Sequence, residues 1–148
     1  MRILQQSPLL IPAPVEPPKV QIPLFVSRVC AGFTSPADEY IERDLDLNEY
    51  LVANPIATIF FFAKGESMRN ANIFNGSVCV VDRSIVPRHG HIVLATVDGE
   101  FTVKRLYHVG ATVELRPENV EFDAMCFKDG QEVQIIGVVR GTAYRFVV

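Results

Sequence analysis

From Ile56 onward the hydrophobic residues come in short runs broken by turn residues: ATIFFFA, SVCVV, HIVLATV, EFTVKRLYHV, TVELR, EVQIIGVV and AYRFVV. Runs of this length, rich in Val, Ile, Phe and Thr and bounded by Gly, Asp, Asn and Pro, predict an antiparallel, mainly β domain. Asp98–Gly99 separates two runs by two residues, the preferred chemistry of a type I′ hairpin, which puts Lys104 on its second arm. Upstream the pattern differs. In SPADEYIERDLDLNEYLV, Ser35 suits an N-cap, Pro36 the first helical position, and Asp38 with Glu39 the positive end of a helix dipole, so a short helix is predicted from about Pro36 to Arg43. A second helical turn is predicted from Asp46 or Leu47, stopping before Asn54–Pro55, because the residue before a proline is pushed out of the α region. Tyr40, Ile41, Leu47 and Leu51 would face the domain.

The first 23 residues carry Pro8, Pro12, Pro14, Pro17, Pro18 and Pro23, each of which fixes φ and removes a backbone donor. They predict an extended arm. PLFVSRVCAGF, Pro23 to Phe33, is more apolar and is as much a candidate ligand as a structural strand. The expected organisation is an arm over 1–31, a short helical connector over 32–55 and a β-rich domain over 56–148.

Composition narrows the function classes. A chain of 148 residues, 49% hydrophobic and 21% charged, can bury one ordinary core. Its formal charge of −3 gives no basic footprint for a phosphate backbone, so direct DNA binding is not expected. The longest apolar run, Ile56 to Ala63, is far shorter than the roughly 20 residues that cross a bilayer. The N-terminus lacks the order of a secretory signal, and a cytoplasmic location is expected. Cys30, Cys79 and Cys126 are odd in number and widely spaced, which fits reduced structural thiols and neither a disulfide set nor a metal site.

The candidate chemistry is sparse. Ser67 lies in AKGESMR, directly after an apolar strand and at a glycine-containing turn that can aim successive backbone N–H groups at one spot. By itself such a serine is as readily a loop residue. No histidine stands in a triad arrangement: His89 and His91 flank a glycine at a turn, His108 ends the Lys104 strand, and all three read as solvated turn residues with no third metal ligand beside them. Lysine is left as the base. Its pKa near 10.4 must be lowered by burial before it can accept a serine proton. Alternation along EFTVKRLYHV groups Lys104 with Thr102 and Leu106 on one face. The competing reading is an exposed strand lysine with its stem along the surface.

Four segments in order carry a family resemblance: GESM at Gly65 to Met68, GSVCVVD at Gly76 to Asp82, HGHIVLATVDGEFTVKRL at His89 to Leu106, and VELRPEN at Val113 to Asn119. Together they resemble the signature of the LexA/UmuD family of self-cleaving serine–lysine peptidases, over about residues 22 to 140. The resemblance implies a compact LexA/UmuD-like β domain with Ser67 as nucleophile and Lys104 as general base. It further implies the backbone N–H groups of Glu66 and Ser67 as oxyanion donors. CAGFTSPADEYIE, Cys30 to Glu42, is similar to the family's cleavage-site region and implies a scissile Ala31–Gly32 bond. Here the cysteine stands one place before the bond, Glu66 replaces the usual aspartate before the serine, and Ser77 replaces an aspartate after Gly76.

Within that family, repressors carry an N-terminal DNA-binding domain. The 31 proline-rich residues before the implied bond do not predict one. The UmuD type instead loses a short arm. For this chain the resemblance therefore implies a homodimer, cleavage stimulated by a RecA filament on single-stranded DNA, and service as the accessory subunit of a Y-family (UmuC-like) translesion polymerase. No cofactor and no metal are implied. The alternative from another class is a non-cleaving binding module that regulates a polymerase or a RecA filament. A related leader peptidase would need a membrane anchor.

Overall fold

The computed structural model describes residues 19–20, 22–25, 41–127 and 131–148. The arm before Lys19, the implied scissile bond, and Ser35 to Tyr40 of the expected first helix lie outside them. Two compact units divide at Asn54.

In the smaller unit, β1 (Ile22–Phe25) pairs antiparallel with β2 (Ile41–Leu45), and α1 (Leu47–Leu51) follows. The expected helix to Arg43 is corrected here: Ile41, Glu42 and Arg43 belong to a strand. The helix signals are local to the sequence, whereas β1 supplies ladder partners from about twenty residues away, and pairing overrides propensity. The second helical turn forms as expected. Asp46 is its N-cap and its carboxylate accepts from the N–H groups of Asn48, Glu49 and Val20. Leu47 is exposed and Leu51 half-buried, so Leu47 does not face a core as the periodicity suggested.

The larger unit is a seven-stranded antiparallel sheet: β3 (Thr58–Phe62), β4 (Val78–Asp82), β5 (Ile92–Val97), β6 (Glu100–Val109), β7 (Thr112–Arg116), β8 (Met125–Cys126) and β9 (Val133–Ala143), in spatial order β3-β4-β9-β5-β6-β7-β8. The mainly β architecture is what the hydrophobic pattern anticipates, and among the described residues it carries one short α-helix. Asp98 and Gly99 both have positive φ, at 50° and 86°, as a type I′ turn requires. Two details differ. β8 is too short to leave a sequence pattern, and AYRFVV is not a separate strand: β9 runs on through Gly141 to Ala143, and Tyr144 instead sets its ring against Phe74 at 5.5 Å.

Each face of the sheet buries its own cluster. Cys79, Val81, Leu94 and Val103 join Met68 and Ile73 on one side, and Val93, Ala95, Leu106, Leu115, Val133, Ile135 and Val138 meet on the other. β9 feeds both by alternation, which a bulge against β5 beside Gly137 and another against β4 at Arg140 shift along its length. A Cβ at Gly137 would stand 2.8 Å from Val81 Cγ1 and 2.9 Å from the Asp82 carbonyl oxygen, so only glycine fits there. Asp82, which closes the GSVCVVD segment, is buried with its carboxylate held by the Ser84 N–H and hydroxyl, a structural role. No helix among the described residues is long and apolar enough to cross a membrane.

Candidate active site

β3 is the first strand of the sheet and β6 the fifth. On a flat sheet those strands would lie about 19 Å apart, from the spacing of about 4.8 Å per step. Instead Phe61 of β3 and Phe101 of β6 have ring centroids 5.5 Å apart, because the twisted sheet curls around the first apolar cluster. The chain leaving β3 therefore passes close to β6, and Ser67 and Lys104 meet although their strands are not neighbours. Lys104 Nζ donates to Ser67 Oγ at 2.9 Å.

Around that contact the amine also donates to Thr102 Oγ1 at 2.9 Å and to the Val103 carbonyl at 3.1 Å. Thr102 lies two residues back on the same strand face, as alternation requires. Ser67 and Lys104 are both half-buried, and burial pulls the Lys104 ammonium below the usual lysine range. The exposed strand lysine is thus not what forms. Both side chains line a cleft of about 350 Å³ whose other walls include Phe61, Ile73 and Phe101, with Lys64 as its other charged group.

The serine turn is held from several directions. Gly65 has φ +85°, and its N–H donates to Asn75 Oδ1 at 2.8 Å. Ala63 and Gly76 close the base of the turn through Ala63 N–H to the Ser77 carbonyl and Gly76 N–H to the Ala63 carbonyl, each 2.8 Å. Ser77, in the place of an aspartate, is fully buried and accepts from the Phe74 N–H at 2.9 Å. On the far side, Glu118 N–H donates to the Ser67 carbonyl, Asn70 N–H donates to the Glu118 carbonyl, both at 2.8 Å, and Asn119 Nδ2 donates to the Glu66 carbonyl at 2.9 Å. Among the described residues, the N–H groups of Glu66 and Ser67 have no acceptor.

Sequence reasoning identified Ser67 and Lys104 but not Thr102, Asn75, Glu118 or Asn119 as their supports. Only the RPEN segment hinted at the last two, as part of a resemblance. Its physical content is a loop whose main chain hydrogen-bonds to the nucleophile turn. The histidines stand apart: His89 Nδ1 accepts from the His108 N–H and His91 Nδ1 from the Arg88 N–H, each at 3.2 Å. No three His, Cys, Asp or Glu side chains converge among the described residues.

Comparison with known proteins places the chain in a family. Residues 23–140 match the family described as Peptidase S24-like. The chain is 57% identical to protein ImpA of Salmonella typhimurium over 84 residues, 57% of this chain and 58% of that protein, so it spans about three-fifths of ImpA. It is 43% identical to protein SamA of the same species over 131 residues, covering 88% and 91% of the two chains. It is also 39% identical to the LexA repressor of Thermotoga petrophila over 121 residues, 82% of this chain and 60% of the repressor.

Proposed function

Because the chain belongs to the Peptidase S24-like family, in its LexA/UmuD kind, we propose that it is a serine peptidase that cuts itself between Ala31 and Gly32, with Ser67 as nucleophile and Lys104 as general base. The observation that carries this reading is the 2.9 Å contact between Ser67 Oγ and a lysine amine that burial holds toward its neutral form. A neutral amine at that distance accepts the hydroxyl proton as Oγ attacks the Ala31 carbonyl. The oxyanion finds the N–H groups of Glu66 and Ser67. Lys104 then returns the proton to the departing Gly32 nitrogen as the C–N bond breaks. Water, deprotonated by the same amine, hydrolyses the Ala31 ester and restores Ser67.

The cleft also suits an extended substrate. β7 pairs with only the Arg105–Val109 part of β6, so among the described residues Glu100–Lys104 present an edge with no partner strand on that side. An extended segment adds to such an edge through main-chain hydrogen bonds. Glycine after the bond lets the chain approach closely, and tethering of residues 1–31 to the domain at 56–148 through the 32–55 connector supplies a high effective concentration. By family resemblance, the RecA filament stimulates the cut in the cytoplasm, and the processed homodimer serves a Y-family translesion polymerase as accessory subunit.

The test is incubation of purified protein at raised pH without any partner. Mass spectrometry is expected to find a fragment beginning at Gly32, and none from Ser67→Ala. Equal persistence of both proteins, even with an activated RecA filament, would favour the non-cleaving binding module.

A further inference from the structure

No β-ladder sets the distance between Ser67 and Lys104, since three strands separate β3 from β6. A second connection does reach across. Arg105, the residue after Lys104, forms an ion pair through Nε with Glu118 Oε1 and donates from Nη1 to the Gly90 carbonyl at 2.6 Å. Glu118 is the residue whose N–H holds the Ser67 carbonyl and whose carbonyl holds Asn70. A short chain of contacts thus runs from the base strand through one carboxylate into the nucleophile turn. It sits where β7 ends at Arg116 and Pro117 removes a ladder donor, so the loop is not otherwise tied to β6 there. We infer that Glu118, through its pairing with Arg105, is a positioning residue that keeps the Ser67 turn in register with Lys104. Resting on the proposed Ser67–Lys104 chemistry, this assigns Glu118 no contact with substrate.

The experiment compares Glu118→Leu, Glu118→Gln and, as control, Glu114→Gln, which opens the Arg116–Glu114 pair without touching either reacting group. Self-cleavage of Glu118→Leu is expected to fall about a hundredfold, since an error of about 1 Å in the reacting groups has that effect. Its pH–rate profile is expected to move to higher pH, because a lysine no longer against Ser67 gains water and titrates nearer its ordinary value. Glu118→Gln keeps an acceptor for Arg105 and recovers most of the rate; Glu114→Gln leaves rate and profile unchanged.

A second readout does not depend on cleavage. In Ser67→Cys protein, thiol alkylation against pH reports the lysine beside residue 67, and adding Glu118→Leu is expected to raise the thiol pKa. Should Glu118→Leu not fold, Arg105→Leu, which removes the other end of the pair, carries the same expectation. An unchanged profile and thiol titration in folded Glu118→Leu or Arg105→Leu protein would overturn the positioning role. A shifted thiol in a chain that never cuts itself would leave that role standing and remove the proposed function.

Discussion

The hairpin that carries Lys104 is shaped by its immediate sequence, while the turn that carries Ser67 is held by residues up to 53 positions away. In the hairpin, Asp98–Gly99 fixes the turn type, the turn fixes the register, and the register places Lys104 opposite Val93. In the serine turn, Asn75 and Asn119 each supply one hydrogen bond and Glu118 two, its N–H donating to the Ser67 carbonyl and its carbonyl accepting from the Asn70 N–H. A base on a rigid strand and a nucleophile on a tethered turn make the site's geometry depend on the turn.

The largest effect that sharpens this contrast comes from Lys104→Met, which leaves both scaffolds intact and removes the base. Self-cleavage at alkaline pH is expected to fall by about four orders of magnitude or more, with thermal stability unchanged or raised because a half-buried amine is gone. A rate within tenfold of the parent protein would take Lys104 out of the chemistry.

Next in size is a matched pair of glycines. Gly65 and Gly99 have nearly the same φ, +85° and +86°, and neither has an atom within 4 Å of an added Cβ. Gly65→Ala and Gly99→Ala therefore impose backbone strain alone, about 1–2 kcal/mol each by urea unfolding. Only Gly65→Ala is expected to slow cleavage, by about tenfold, because its strain falls on the turn. Equal rates in the two variants would show that the turn tolerates distortion as well as the hairpin does.

The smallest effect is in stability against pH. Lys104 has a folded pKa below its unfolded value, so between the two the unfolded chain binds the extra proton, and raising the pH favours the folded state until about pH 10.4. Cys79 works the other way. Burial pushes its thiol up to about 11, and above roughly pH 8.5 the unfolded chain alone ionises it, which lowers stability. Subtracting the Lys104→Met curve from that of the parent protein cancels Cys79 and is expected to leave a rise with pH. A flat difference would mean that the amine is as well hydrated in the fold as out of it.

The strands from Thr58 to Arg116 and the helical turn beginning near Leu47 were legible in the sequence, because alternation and turn dipeptides act over a few residues. Ser67 and Lys104 were legible as a pair only through resemblance: no local rule says that the end of β3 meets β6 across three intervening strands. The strand at Ile41–Leu45 was misread for the same reason, since its partner at Ile22–Phe25 is distant and the helix signals at Ser35 and Pro36 are near. Glu118 and Asn119 stayed illegible as supports because the serine turn is held by a main-chain N–H of one and a side-chain amide of the other, neither marked by a spacing rule.

The shifted alternation of β9 at Gly137 has a consequence for how this domain can vary. Val133 and Ile135 point to one side before it and Val138 to that same side after it, so the strand counts its faces anew at that point. Losing the extra residue there would remove the bulge and leave Val138 on the side of Val133 and Ile135, whereas losing or gaining one elsewhere in the strand would turn the remainder of β9 inside out. Apart from Gly137, where no side chain fits, substitutions along this strand need only preserve volume, whereas its length outside the bulge is not free to drift.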